Sequence, residues 1–195
     1  MENKKNDIFN CGKEMFSVKG FKNTNISDIA KECGISVGSF YKYYESKDKL
    51  FIDIYIEENI RLKKSFINTI NVDGEPAKLI KEIMAMNING INANPILKEW
   101  YDMDFFSKLE KKFHEEGGIK SIYDVINGDI IDLIEKWKNT GKIRKDMDTD
   151  LILAIFNSIP YIDIHKEEIG INHFPHILDY IAEFIINGLK DNNKL

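Results

Sequence analysis

Four prolines in 195 residues, no apolar run near the roughly 20 residues of a membrane span, and no regular alternation of apolar and polar positions bound the fold before any motif is read. Scarce proline permits long helices, and the missing alternation leaves sheet without support, so the expected class is all-α. The opening Met-Glu-Asn-Lys-Lys lacks the pattern of a signal peptide, and with no spanning segment the expected location is the cytoplasm, away from membranes. Cysteine is nearly absent too. Cys11 and Cys33 form no C-x-x-C pattern and are expected as reduced thiols at small apolar positions. There is no nucleophile motif, no phosphate-binding glycine loop and no H-E-x-x-H, which speaks against an enzyme. His165, His173 and His176 come without a carboxylate or thiolate pattern, so neither metal nor cofactor is expected.

What is present is concentrated between Thr24 and Lys49. Asn25 can cap a helix, with Asp28 in its first turn where a negative charge suits the dipole. Gly34 can take the left-handed conformation that ends that helix. Ser36 offers a second cap to about two turns from Val37 to Tyr44, and Ser46 a third. Ile26, Ile29, Ala30, Cys33, Ile35 and Phe40 share one apolar face, leaving Ser39, Lys42 and Tyr43 outward. Two short helices about a glycine turn make a helix-turn-helix, whose second helix reads the major groove. The chain's charge of −5 hides a division. Residues 1–50 hold nine lysines against seven acidic residues, a net +2, which leaves −7 for the rest. Attraction to phosphate depends on where charge lies, so the acidic total is compatible with DNA binding.

The run Gly20-Phe21, Thr24, Ile26, Ile29-Ala30, Gly34-Ile35-Ser36, Gly38, Phe40-Tyr41, Tyr43-Tyr44 and Lys47-Asp48-Lys49-Leu50 resembles the N-terminal signature of the TetR/AcrR family of transcriptional regulators. It covers about a quarter of the chain, and two positions depart from the usual pattern: Cys33 stands for Ala and Tyr44 for Phe. The resemblance implies that Ser36, Val37, Ser39, Tyr41, Tyr43 and Lys47 touch DNA. Asn25 adds a phosphate contact, and Gly38 allows close approach to the groove. Tyr41 and Lys47 read as phosphate clamps. The recognition helix carries no Arg, Asn or Gln, the usual bidentate base readers, so direct readout is expected to be modest.

Beyond the motif, helical spacing predicts about nine helices in all. The first runs from Asp7 to Lys19 with Gly20 as its stop; the fourth from Ser46 to Asn71; the fifth from Pro76 to about Asn92. A sixth from Pro95 reaches Phe113, a seventh spans Lys120 to Asn139, an eighth Thr149 to His165 with Pro160 near its end, and a ninth Phe174 to Leu189. Residues 1–46 are expected as a DNA-binding head and 47–195 as a ligand-binding and dimerisation body.

In that body, Met84, Ile88, Trp100, Tyr101, Met103, Phe105, Tyr123 and Trp137 would line a cavity for a small lipophilic ligand, with core packing as the plainer alternative. Glu99, Asp102 and Asp104 would favour a cationic ligand, unless they are simply a solvated face. One two-turn helix reads too few bases alone, so a homodimer on a palindromic operator is expected. The family resemblance places its interface on the last two helices, and Leu151, Ile155, Ile159, Ile177, Ile181 and Phe184 give them apolar faces. The expected function is a ligand-responsive repressor. The alternative is a DNA-binding structural or nucleoid-associated protein of the same fold without a ligand.

Overall fold

Local caps set the N-terminal elements. The computed structural model describes residues 2–67, 69–174 and 176–190, and of Glu2, Tyr101, residues 103–107, Pro160 and Ile164 it describes the backbone alone. Helix α1 (Glu2–Lys19) begins several residues earlier than its apolar face predicts. α2 (Ile26–Glu32) is capped by Asn25, whose Oδ1 accepts from the Asp28 N–H at 2.9 Å. α2 ends where Gly34 adopts φ +64°, a turn that side-chain-bearing residues resist. α3 (Val37–Phe40) is capped by Ser36. It is half the expected length: past Phe40 the bonds Lys42 N–H to Ser39 O and Tyr43 N–H to Phe40 O are the tighter three-residue kind. α4 (Lys47–Ile67) opens as Ser46 Oγ accepts from the Lys49 N–H at 3.1 Å, and its 21 residues span about 30 Å.

The remaining helices are more broken than the periodicity predicts. α5 (Pro76–Ala93) is followed by α6 (Pro95–Lys98), a 3-10 turn (Glu99–Tyr101) and α7 (Met103–Glu115), where one helix was expected. The interruption is Asp102, whose backbone is extended at φ −81°, ψ 112°. The expected seventh helix is likewise two, α8 (Gly118–Asp124) and α9 (Asn127–Asn139). Ile126 turns on a three-residue bond to Tyr123 just before Asn127-Gly128, two weak helix formers. α10 (Thr149–Ile164) runs on through position 160. After it come α11 (Lys166–Ile169), a 3-10 turn (Ile171–His173) and α12 (His176–Leu189). Phe174 is extended rather than helical, as a residue before proline prefers. The described residues are all helix and connection, and among them no helix is long and apolar enough to cross a membrane.

The chain divides into two compact units, Met1–Lys63 with Asn87–Ile122, and Lys64–Met86 with Tyr123–Leu195. The first is built on Ile8, Phe16, Ile29, Phe40, Leu50, Phe51 and Ile54, none more than 1% exposed. Burying each such side chain stabilises by about 1.5–3 kcal/mol. A ladder of rings extends this core: Phe21 and Phe16 lie against Phe51, Phe51 stacks on Tyr55, and Tyr55 meets Trp100 and Phe113. Lys13 pairs with the buried Glu58 of α4, and Asn94 donates to the same carboxylate at 2.7 Å while capping α6. The second unit packs Leu79, Ile134, Trp137, Ile143, Ile152 and Leu189 into one cluster. Arg144 N–H donates to Leu189 O at 2.8 Å and closes it.

Cys11 and Cys33, expected as reduced thiols, are instead joined as a disulfide between α1 and the end of α2, with Cα atoms 6.0 Å apart. Sequence spacing could not reveal the pair because a fold, not a motif, brings positions 22 apart together. Closing such a loop stabilises by about 3.4 kcal/mol in the chain-entropy account. Thermal melting should therefore move down by several degrees on adding a thiol reductant, and Cys11→Ser should melt at that lower temperature with or without it.

Burial also sets a pH dependence. The Lys63 ammonium donates to Asn87 Oδ1 at 3.3 Å, and burial pushes its pKa down to about 8. Between pH 8 and 10 the unfolded chain then holds more protons than the folded one, so stability rises with pH. Lys63 contributes on the order of 2 kcal/mol over that window. Tyr44, pushed up to about 12 chiefly by burial with Asp53 adding to it, acts oppositely, but only above the ordinary tyrosine value near 10. Melting temperature is expected to climb from pH 8 to 10 in the wild type and to lose most of that climb in Lys63→Met.

Candidate nucleic-acid interface

α3 presents a small, mostly polar surface built from its own cap. Ser36 Oγ accepts from the Ser39 N–H at 3.2 Å and shares a 3.0 Å hydrogen bond with Ser39 Oγ, so whichever hydroxyl accepts keeps its own proton to donate outward. Val37 is 41% exposed and Tyr41 53%, side by side with the exposed Lys42. Gly38 is exposed as well, and a Cβ added there would meet nothing nearer than Ser36 Oγ at 4.0 Å. No internal crowding explains the glycine, whereas close approach of another molecule would. Tyr43 is half-buried. Asn25 is exposed and, besides capping α2, accepts from Ser27 Oγ through the same Oδ1.

Lys47 is placed differently from its neighbours in the motif. Its ammonium donates to Phe21 O at 2.8 Å and Thr24 O at 2.7 Å, and lies 3.9 Å from the Phe21 ring centre. Burial lowers its pKa, while Asp48 and Glu99 pull it back up. A cation so engaged holds the turn between α1 and α2. This internal duty was invisible in the sequence because its acceptors are backbone carbonyls 26 and 23 residues away.

Residues of the 87–122 segment, none of them among the expected DNA contacts, hold both ends of the motif. Glu99 Oε1 accepts from the Phe21 N–H at 3.1 Å, and Asp102 pairs with Lys22 at 3.0 Å. At the other end Lys112 donates to Glu45 at 2.8 Å and Ser46 at 3.0 Å, and Lys49 bridges Asp53 and Glu116. The Lys112 contact holds the Glu45 carboxyl below the usual range. Glu99 and Asp102, weighed above as partners for a cationic ligand, are thus occupied by the motif's entry turn. Pairings some 67 to 80 residues apart leave no local signal.

The expected ligand residues fall in both units and are described within their own. In the first, Ile88 is 38% exposed and Trp100 is buried against Tyr55 and Phe113. The side chains of Tyr101, Met103, Phe105 and Asp104 lie outside the described residues. In the second unit, Met84 and Tyr123 are half-buried and Trp137 is core, its Nε1 without an acceptor. That unit also holds a groove of about 220 Å³ between α5 and α12, lined by Ala77, Ile80, Lys81, Ala182, Glu183 and Ile186 among others, and by none of the expected ligand residues.

The residues expected at a dimer interface lie on α10 and α12. Leu151 and Phe184 are exposed, Phe184 by 68%, while Ile155, Ile159, Ile177 and Ile181 are half-buried. Tyr161 and Tyr180, which the apolar spacing did not single out, add to the exposed apolar surface of the same two helices. His165, on the connection between them, pairs with Glu168 at 3.5 Å.

Comparison with known proteins places this geometry. Residues 8–54 match the family described as bacterial regulatory proteins, tetR family. The HTH-type transcriptional regulator YuxN of Bacillus subtilis is 35% identical over 72 residues, 37% of this chain but only 24% of that protein. The chain thus matches about a quarter of that relative's length. Among solved structures, RolR in complex with resorcinol aligns with 97% of this chain and 88% of its own, with a TM-score of 0.67 at 11% identity. The Thermus thermophilus repressor FadR in complex with lauroyl-CoA aligns over 94% and 91%, with a TM-score of 0.60 at 16% identity. Residues 8–54 thus match the helix-turn-helix of the bacterial regulatory proteins of the tetR family, and the chain shares its fold with these solved structures.

Proposed function

We propose that the chain is a homodimeric repressor that grips a palindromic operator through α3 and leaves it when a small lipophilic molecule binds the body. The observation that carries the DNA half is the surface of α3: an exposed valine, an exposed tyrosine, paired serines and a glycine that no internal contact requires. Ser36, Val37, Ser39, Tyr41 and Tyr43 meet base edges and phosphates, with apolar contact to thymine methyls and readout of DNA shape making up for the missing Arg, Asn and Gln. Lys47 acts here from inside, by fixing the turn before α2.

The exposed apolar surface on α10 and α12 supports the dimer, since a two-fold axis lets one patch cover its own copy. Support for a lipophilic ligand comes from relatives of the fold that are seen with lauroyl-CoA or resorcinol. To test the ligand half, each of these two compounds is titrated into the wild-type protein bound to a duplex it has selected from a random library. Weakening of DNA binding by about 5- to 150-fold with either is expected. If neither changes affinity, and neither raises the melting temperature, the ligand-free nucleoid-associated reading takes its place.

A further inference from the structure

The turn between α1 and α2, residues 20–25, has no helix of its own and is held at Phe21, at Lys22 by Asp102 and at the buried Thr24, whose hydroxyl donates to Gly20 O at 2.8 Å and whose carbonyl accepts from Lys47. The Phe21 ring lies against Phe16 and Phe51, and its carbonyl accepts from Lys47. Phe16, Phe51 and Lys47 are within the first 63 residues. The Phe21 N–H goes instead to Glu99, on the 3-10 turn between α6 and α7. Gly20 shows how close that approach is: its φ is +75°, and a Cβ there would sit 2.7 Å from Glu99 Oε1. The next residue, Trp100, stacks on Tyr55 at 4.6 Å and meets Phe113 edge-on at 4.6 Å, which pins the 3-10 turn to α4.

We infer that Glu99 is a positioning residue for DNA binding: its carboxylate holds the Phe21 backbone and thereby sets where α2 and the recognition helix α3 stand. Phe21 is four residues before the Asn25 cap, so any displacement of Glu99 passes through a short turn into α2, and α2 and α3 share one apolar face. Register on the operator depends on that placement, whereas attraction to phosphate in general does not. This inference rests on the DNA-binding reading above and adds the 3-10 turn as the element through which that site is adjusted.

The test compares wild type, Glu99→Ala, Glu99→Gln and Glu99→Asp on two duplexes, one selected from a random library by the wild-type chain and one of unrelated sequence. Amide exchange at Phe21 is read alongside. Glu99→Ala should lose the Phe21 protection and bind the selected duplex about tenfold more weakly, with the unrelated duplex unchanged. Glu99→Gln keeps an acceptor at the same reach and should restore both readings to within about threefold. Glu99→Asp, one methylene short, should behave like Glu99→Ala, and it decides the matter if the alanine variant does not fold. Unchanged binding of the selected duplex by Glu99→Asp, parallel loss on both duplexes, or no restoration by Glu99→Gln would overturn the inference. A wild-type chain that enriches no sequence from the library would instead sink the DNA-binding reading itself.

Discussion

Lys47→Ala is expected to destabilise the chain by about 4 kcal/mol, the largest single-site loss of stability anticipated here, because it removes two charge-assisted hydrogen bonds from one turn. Phe21 O and Thr24 O lose their donor together, and the Phe21 ring loses the cation over its face. Urea unfolding with unchanged slope checks the magnitude. Lys47→Met separates charge from packing: it keeps the apolar stem over Phe21 and should recover less than half of the loss. Were Lys47 free to reach phosphate, Lys47→Ala would leave the unfolding midpoint where it was and reduce the salt slope of DNA binding by about one. The internal assignment predicts the opposite pair of outcomes, at temperatures where the variant is folded.

The second large effect is at the surface of α3. Val37→Glu puts a carboxylate at an exposed position beside the capping Ser36 and its partner Ser39, where the proposed partner is a polyanion. Each protomer of a dimer would carry the defect, so a loss of about 2 kcal/mol per half-site becomes roughly a thousandfold loss in affinity for the selected duplex. Stability should hardly move, because Val37 buries little and a negative side chain at the start of a helix is tolerated by the dipole. Gel shift and thermal melting of the same preparation read both numbers. A variant that binds as well as the wild type would remove α3 from the interface.

These predictions mark what the sequence could and could not carry. Caps are local: Asn25 needs only Asp28, and Ser36 only Ser39, so the start of each helix in the motif was legible from spacing alone. The shared apolar face of α2 and α3 was legible for the same reason. The shortness of α3 was not, since the residues from Tyr41 to Tyr43 have ordinary helical composition and are tightened by bonds that only the fold selects. Nor was the break at Asp102, which an aromatic helical stripe passes over without a glycine or proline to mark it.

The candidate site divides along the same line. Ser39, Lys42 and Tyr43 could be placed outward from periodicity, which holds for the exposed Lys42 while Ser39 and Tyr43 are half-buried; Val37 and Tyr41, both exposed, came from the family resemblance alone. Lys47 reads from sequence as a phosphate clamp and Glu99 as a partner for a cationic ligand or a solvated face, because a charged side chain on a helix has many possible partners. The ones the fold chose are backbone groups of Phe21 and Thr24, which carry no side-chain signature. The cysteines show the same limit, since only the packing of α1 on α2 brings Cys11 to Cys33.

The central claim, that two copies of α3 grip a two-fold DNA site, is tested most directly by footprinting the wild-type protein on the duplex it selects from a random library. The expected result is two protected half-sites related by a dyad, their centres about 10 base pairs or a multiple apart, protected together at one protein concentration and both lost in Val37→Glu. A single protected half-site, or protection that survives Val37→Glu unchanged, would contradict it.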